Sequence, residues 1–305
     1  MVTFTVSGSK ANIMDACWEK YNLSYNRRWT PNKKAPALEK GDLIHVFFKY
    51  YYTEKMKGRW RLDQSQHGIV LDEATNVARI AASKMQLPVS ESDEKIKIAR
   101  QNLLFHMNDG MTVYAVEKEF TVPIYENPDY IVDPKNPGLL ILFDGIVDIV
   151  GELPNQPLFV MDHKSESRKS TPFKLSHQFQ GSAFAFDVET VIVNKVGFQE
   201  SLPEKERFRR IYLEYHNTPL LEEWRIDVIK LCLEAIERHK REAMGKPDWP
   251  RDRTSCDKYS GCIFQEVCAA IPMVRPVKLQ TWFHIEEPRP KFGKDPQEYE
   301  EEIEA

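Results

Sequence analysis

The stretch FVMDHKSES, residues 159–167, places Asp162 and Lys164 one residue apart at the end of an apolar run. On a strand, residues i and i+2 share a face. The acid and the base would therefore project together towards anything bound there. Asp148 lies fourteen residues before Asp162, in the run FDGIVDIV that also holds Asp144. Paired strands are about 4.8 Å apart, so Asp148 and Asp162 could sit side by side. Two carboxylates at that spacing repel unless a cation joins them, and hard oxygen donors suit Mg²⁺ or Mn²⁺. A metal so held activates water and stabilises charge on a phosphate. Lys164 would orient that water or neutralise the phosphate. Read alone, D-x-K is also the ion pair of a solvated strand, and Asp144 is left unassigned.

The elements needed to hold these groups are legible in outline. SKANIMDACWEKYNLSY has apolar residues at helical spacing, and DLIHVFFKYYYTEKM reads as an aromatic helix. LDEATNVARIAASKM and SDEKIKIARQNLLFHM read as two more helices. After NDG the pattern turns to strands: MTVYAVEKEFTVPIY, GLLILFDGIVDIVGE and QPLFVMDHKSES, the last two joined by a short turn. A helix over LSHQFQGSAFAFDVE, strands over TVIVNKVGFQE and RFRRIYLEYHN, and a long helix from TPLLEEW to KREA follow. The order predicts an α/β sheet with a helical N-terminal region.

With that order in place, DGIVD followed by FVMDHK resembles the PD-(D/E)XK nuclease superfamily, and more closely its RecB-like branch. Gly145–Asp148 matches the branch's G-x-x-D, and Asp162 and Lys164 its D-x-K. GDLIH, Gly41–His45, matches its upstream G-x-x-x-H, in which the histidine is a further metal ligand. HQFQGSAF matches its helix motif Q-x-x-x-Y from Gln180 to Phe184, with Phe in place of Tyr and so without a hydroxyl. The resemblance implies a restriction-endonuclease-like αβββαβ core, metal-dependent phosphodiester cleavage and a DNA substrate. His45, Asp148, Asp162 and the carbonyl of His163 would bind the metal, and Gln180 would support the site. Glu117 and Glu119 look like the acid of this branch's first strand, which supports the site without being a ligand. His45 on an aromatic helix, read alone, is a core histidine; its order and position ahead of the acids favour the ligand reading.

Five cysteines are present. Cys232 falls in the apolar stripe of the long helix and reads as a small core residue. Cys256, Cys262 and Cys268 are spaced C-x5-C-x5-C, and Cys17 stands far upstream. One N-terminal and three C-terminal cysteines resemble the iron–sulphur staple of a subset of RecB-like nucleases, which includes AddB-type nucleases and CRISPR-associated and phage-type exonucleases. That subset often has C-x2-C-x5-C, so the first gap here departs from it. The resemblance implies a [4Fe–4S] cluster, with Zn²⁺ as the alternative for four thiolates. Such a staple closes a long loop and stabilises the fold without hydrolytic chemistry.

The chain of 305 residues carries a net charge of −4. Residues 1–90 are +6, and residues 295–305 hold six acids and no base. Without that tail the body is +2, which permits a DNA partner. HVFFKYYYTEKMKGRWR interleaves rings with cations, the composition of a single-strand platform. Tyr51, Tyr52, Trp60, Lys57 and Arg59, with Phe184, are the candidate DNA contacts. The alternative is that the rings are core and the cations solvated. No run of about 18 apolar residues predicts a membrane span. The N-terminus shows no secretory pattern, so a cytoplasmic setting in a bacterial, archaeal or phage-infected cell is expected.

These readings converge on one nuclease domain over residues 1–290: a helical part to about 110, a catalytic core over about 111–245 and a Cys-rich closure over about 246–275. Residues 291–305 read as a disordered acidic tail. The expected activity is a Mg²⁺- or Mn²⁺-dependent DNA exonuclease acting on single strands or ends. The alternatives are a structure-specific endonuclease, a non-catalytic DNA-binding module, or a Zn²⁺-stabilised scaffold. No G-x-x-x-x-G-K-[ST] motif occurs, so unwinding would need a helicase or recombination partner. A homo-oligomer is also open.

Overall fold

The computed structural model describes residues 1–33, 36–58, 64–107, 109–132, 135, 137–166, 173–199, 201–215, 218–256 and 261–287. Arg59, Trp60 and the acidic tail lie outside the described residues. The elements run β1 (Val2–Ser7), α1 (Gly8–Ala16), α2 (Trp18–Tyr21), β2 (Trp29–Pro31), α3 (Pro36–Met56), α4 (Gln64–Lys84) and α5 (Val89–Phe105). There follow β3 (Thr112–Asn127), β4 (Leu139–Glu152), β5 (Phe159–Glu166), α6 (His177–Phe186), β6 (Thr190–Gly197), α7 (Glu204–Arg207) and β7 (Phe208–Glu214). The chain continues through α8 (Thr218–Ala243), α9 (Gln265–Ala269), α10 (Arg275–Trp282) and β8 (Phe283–Ile285). The fold is α/β with a mixed sheet, as the order of elements predicted.

Within the expected 1–290 domain the chain forms two compact units. One comprises residues 1–15 and 34–248, and the other residues 16–33 and 249 onward. In the first unit the sheet order is β1-β4-β5-β6-β7, with β3 also paired to β4. β3 runs antiparallel along β4 from Thr112↔Glu152 to Asn127↔Leu139. Along its other edge β4 changes partner. β1 is parallel to it over Leu139–Asp144, and β5 is antiparallel to it over Ile149–Gly151. Gly145–Asp148 falls in the fork between those two partners.

Both faces of this sheet are covered by helices. Leu43, Ile44, Phe47, Phe48, Tyr51 and Tyr52 recur at helical spacing along α3 and pack with residues of α4 and α5 against Ile149, Met161, Ile192 and Val196. On the opposite face Phe179 and Ala183 of α6 pack against Val147, Val150, Val160 and Val191, with Leu220 and Leu221 of α8 alongside. β6 is therefore buried from Val191 to Gly197, as a strand covered on both faces must be. β1 was not foreseen, because six residues of alternation give little signal.

The second unit has its own small core of Leu23, Phe264, Val267 and Phe283, with Trp29, Cys262 and Cys268 packed on it. β2 and β8 pair antiparallel from Trp29↔Ile285 to Pro31↔Phe283. The hydroxyl of Ser255 donates to the carbonyl of Ala16 at 2.9 Å, across 239 residues of sequence. The single helix expected over residues 9–25 is interrupted at Cys17, whose φ of −169° and ψ of 116° are extended.

Candidate active site

The fork in the sheet sets the geometry. β4 and β5 pair as far as Ile149↔Met161 and then separate. The backbone N–H of His163 no longer meets a β4 carbonyl and donates instead to Asp148 Oδ2 at 2.6 Å. His45, from the middle of α3, places Nδ1 3.4 Å from Asp148 Oδ1. On β5, Lys164 Nζ lies 2.7 Å from Asp162 Oδ2. Asp162 Oδ1 accepts from Gln178 Nε2 at 2.7 Å, and Gln178 Oε1 accepts from Lys164 Nζ at 3.3 Å. Asp162, Lys164 and Gln178 thus close a triangle beside the Asp148–His45 pair.

Gly8 makes room for that triangle. A Cβ on it would lie 2.5 Å from Cα of Gln178, so only glycine lets the start of α1 approach the first turn of α6 this closely. Gly181, one turn on, abuts Phe143 of β4, where a Cβ would lie 2.1 Å from the ring. Both contacts press α6 onto the sheet.

Burial separates the two carboxyls. For Asp162, burial is the largest influence and the Asp148 charge adds to it. Lys164 opposes both, and the carboxyl ends at about 6. Burial would raise Asp148 too, but the His45 hydrogen bond and charge outweigh it and hold that carboxyl at about 2. Burial works against a charged His45, yet Asp148 raises it to about 9. At neutral pH the site therefore holds an ionised acid paired with an imidazolium, beside an acid that titrates near the working range. Such opposed shifts in one buried cluster mark candidate functional sites.

His163 is fixed from both sides. Its ring stacks on Phe48 at 4.1 Å and on Tyr52 at 5.5 Å. Burial drives it down to about 3, so the imidazole is neutral. Its Nδ1 lies 2.9 Å from Asn194 Nδ2, which also donates to Asn102 Oδ1 at 3.0 Å. This buried amide chain was not foreseen, because no local pattern links residues 102, 163 and 194. Glu117 is opposite Asp148, between the pairs Val116↔Ile149 and Lys118↔Val147. Its φ of 46° is left-handed, a strained choice for a non-glycine residue in a strand. Its carboxylate meets Lys49 at 2.5 Å, and both line a small cavity of about 10 Å³ with His45, Asp148 and His163.

Several expected residues lie elsewhere. Gln180 is buried two positions beyond Gln178, about 200° round the helix, and lines a separate cavity of about 410 Å³ with His177 and Trp224. The glutamine at the acids is Gln178. Tyr51 and Tyr52 are each 2% exposed and cannot offer ring faces to DNA bases, because both fill the α3 core stripe. Phe184 packs on Trp224 at 5.5 Å. Lys57 pairs with Glu54 at 3.0 Å near the end of α3.

All four expected cluster cysteines belong to the second unit and are half-buried, and none forms a disulfide among the described residues. The Cys262 N–H donates to the Cys256 carbonyl at 2.7 Å. Burial, opposed by the Arg251 charge and helped by that of Glu19, pushes the Cys268 thiol up to about 11. Among the described residues, no group of three or more His, Cys, Asp or Glu side chains is placed so that it could hold a metal ion. The donor types still fit: two buried carboxylates with an imidazole for a hard ion, and four thiols for a soft one.

No family model and no curated protein matches the chain. It is similar to a solved structure named "Crystal structure of SSO0001", at 14% identity over 87% of this chain and 86% of that one. The TM-score of 0.36 is too low to assign a fold. Among the described residues no helix is long and apolar enough to cross a membrane.

Proposed function

We propose that the protein is a metal-dependent deoxyribonuclease that hydrolyses phosphodiester bonds as an exonuclease on single strands or DNA ends. One observation carries the reading: Asp148, Asp162, His45 and Lys164 converge at the fork of β4 and β5, with Asp162 raised to about 6 beside an ionised Asp148. The order α5-β3-β4-β5-α6-β6 is compatible with the restriction-endonuclease-like core that the motifs resemble. Asp148, Asp162, His45 and the carbonyl of His163 would hold Mg²⁺ or Mn²⁺. When bound, that ion supplies Lewis acidity and lowers the pKa of water.

The chain's own groups have distinct tasks. The His163 N–H aims Asp148, and the ring stack on Phe48 and Tyr52 fixes that backbone. Gln178 holds Asp162 and Lys164 together by donating to the one and accepting from the other. Lys164 orients the attacking water or offsets charge on the phosphate. In the second unit Cys17, Cys256, Cys262 and Cys268 would hold a [4Fe–4S] cluster, with Zn²⁺ as the alternative.

The test is cleavage of end-labelled single-stranded DNA with Mn²⁺ by anaerobically purified wild type, Asp162→Ala and Lys164→Ala. Progressive loss from one end, abolished in both variants, is expected. A wild type that binds DNA without cleaving it would instead make the protein a binding module, and cleavage of circular DNA an endonuclease.

A further inference from the structure

Phe47, Phe48, Tyr51 and Tyr52 of α3 are core, yet open rings and cations occur together at the far edge of the sheet. β7 is the last strand in the order. Beside it, between the end of α5 and the turn joining β4 to β5, lies a cavity of about 530 Å³. That is the size of a small-ligand site. Phe105 and Tyr212 line it, and each is 45% exposed. Large rings left this open at a cavity mouth are available for stacking.

The charges there are unbalanced. Arg210 lines the cavity but is spent on Asp109, at 2.5 Å. Lys205 and Arg209 line it too, both exposed, and neither has an ion pair among the described residues. Two uncompensated cations beside two open rings match the alternation of phosphate and base in a nucleotide chain. A duplex would not satisfy the rings, because its bases already stack on one another.

Buried contacts link the wall of the cavity to the acidic cluster. Arg210 reaches the Tyr52 hydroxyl, and the Tyr52 ring stacks on His163. Along β4, Glu152 at the turn is four residues from Asp148, about 13 Å at about 3.3 Å per residue. A strand of DNA that spans both places would cross the end of the sheet from β4 to β7, past β5 and β6.

We propose that this cavity is a second single-stranded-DNA subsite, in which Phe105 and Tyr212 stack bases while Lys205 and Arg209 take phosphates. The assignment of DNA as ligand rests on the nuclease reading, but the subsite is measured by binding alone. Fluorescence anisotropy of a labelled oligothymidylate is followed against salt in EDTA, which prevents metal-dependent cleavage. The full chain is used as wild type, Lys205→Glu/Arg209→Glu, Tyr212→Ala, and Lys246→Glu as an exposed charge control away from the cavity.

Charge reversal is expected to weaken binding at least about tenfold and to reduce the salt slope by about 1.4, at about 0.7 per phosphate contact on a single strand. Tyr212→Ala is expected to weaken it roughly fivefold to a hundredfold with the slope kept. Lys246→Glu should do neither. Irradiation of a 5-iodouracil oligonucleotide should cross-link to Tyr212 or Phe105, read by peptide mass spectrometry. Circular dichroism and melting confirm that each variant is folded. Equal affinity for wild type and the cavity variants, cross-links confined to other segments, or no binding by wild type would each overturn the subsite. If binding falls as expected while wild type with Mn²⁺ does not cleave, the subsite stands and the nuclease assignment fails.

Discussion

Replacing Asp162 by Asn should stabilise the fold while removing activity. The carboxyl is 6% exposed, and burial holds it up at about 6 against 3.8 for a free group. At about 1.4 kcal/mol per unit, ionising it in the folded protein costs about 3 kcal/mol. The sign follows from the raised value. Below pH 3.8 the group is protonated in both folded and unfolded chains, and no cost exists. The cost grows as pH rises through the interval and is complete above about 6. Asn keeps an oxygen to accept from Gln178 Nε2, but its amide would face Lys164, whose ammonium must turn outward. The net gain is therefore set at about 1–3 kcal/mol above neutrality, falling to almost none near pH 4. Urea unfolding of wild type and variant in EDTA across that range measures it. A variant less stable than wild type at neutral pH, or a difference that does not change with pH, would refute the reasoning.

Other consequences follow from the same contacts. Gly8→Ala should cost about 1–3 kcal/mol by urea unfolding, because its Cβ would meet the Gln178 backbone at 2.5 Å. It should also lower kcat up to about a hundredfold by displacing the Gln178 amide, with KM largely kept. Asn194→Ala leaves Asn102 Oδ1 and His163 Nδ1 without the amide they share and should cost about 2–4 kcal/mol, read by thermal unfolding. Cys268→Ser should bring iron content to background and make residues 249–287 more susceptible to protease, while the circular-dichroism signal of the sheet persists.

The element order was largely legible in the sequence because periodicity is a local signal. α3, α4, α5 and α8 each bury one stripe, and β6 is buried throughout, so the apolar spacing declares them. Asp148, Asp162 and Lys164 could be picked out for a related reason, because acids in apolar runs and a base two residues after one of them are local facts, whereas His45 as a ligand rests on the motif the chain resembles. Three matters needed the tertiary structure. Which glutamine meets the acids depends on the rotation of α6, fixed by Gly8 and Gly181 pressing on neighbours remote in sequence, and it is Gln178 rather than Gln180. Whether aromatic residues face solvent depends on which helix face meets the sheet, so Tyr51 and Tyr52 are core while Tyr212 is open. The fork that turns the His163 N–H onto Asp148 exists only because β1 and β5 share one edge of β4. Sequence determines which groups are present and in what order, whereas their pairing and their proton affinities depend on partners and burial that only the packed chain supplies.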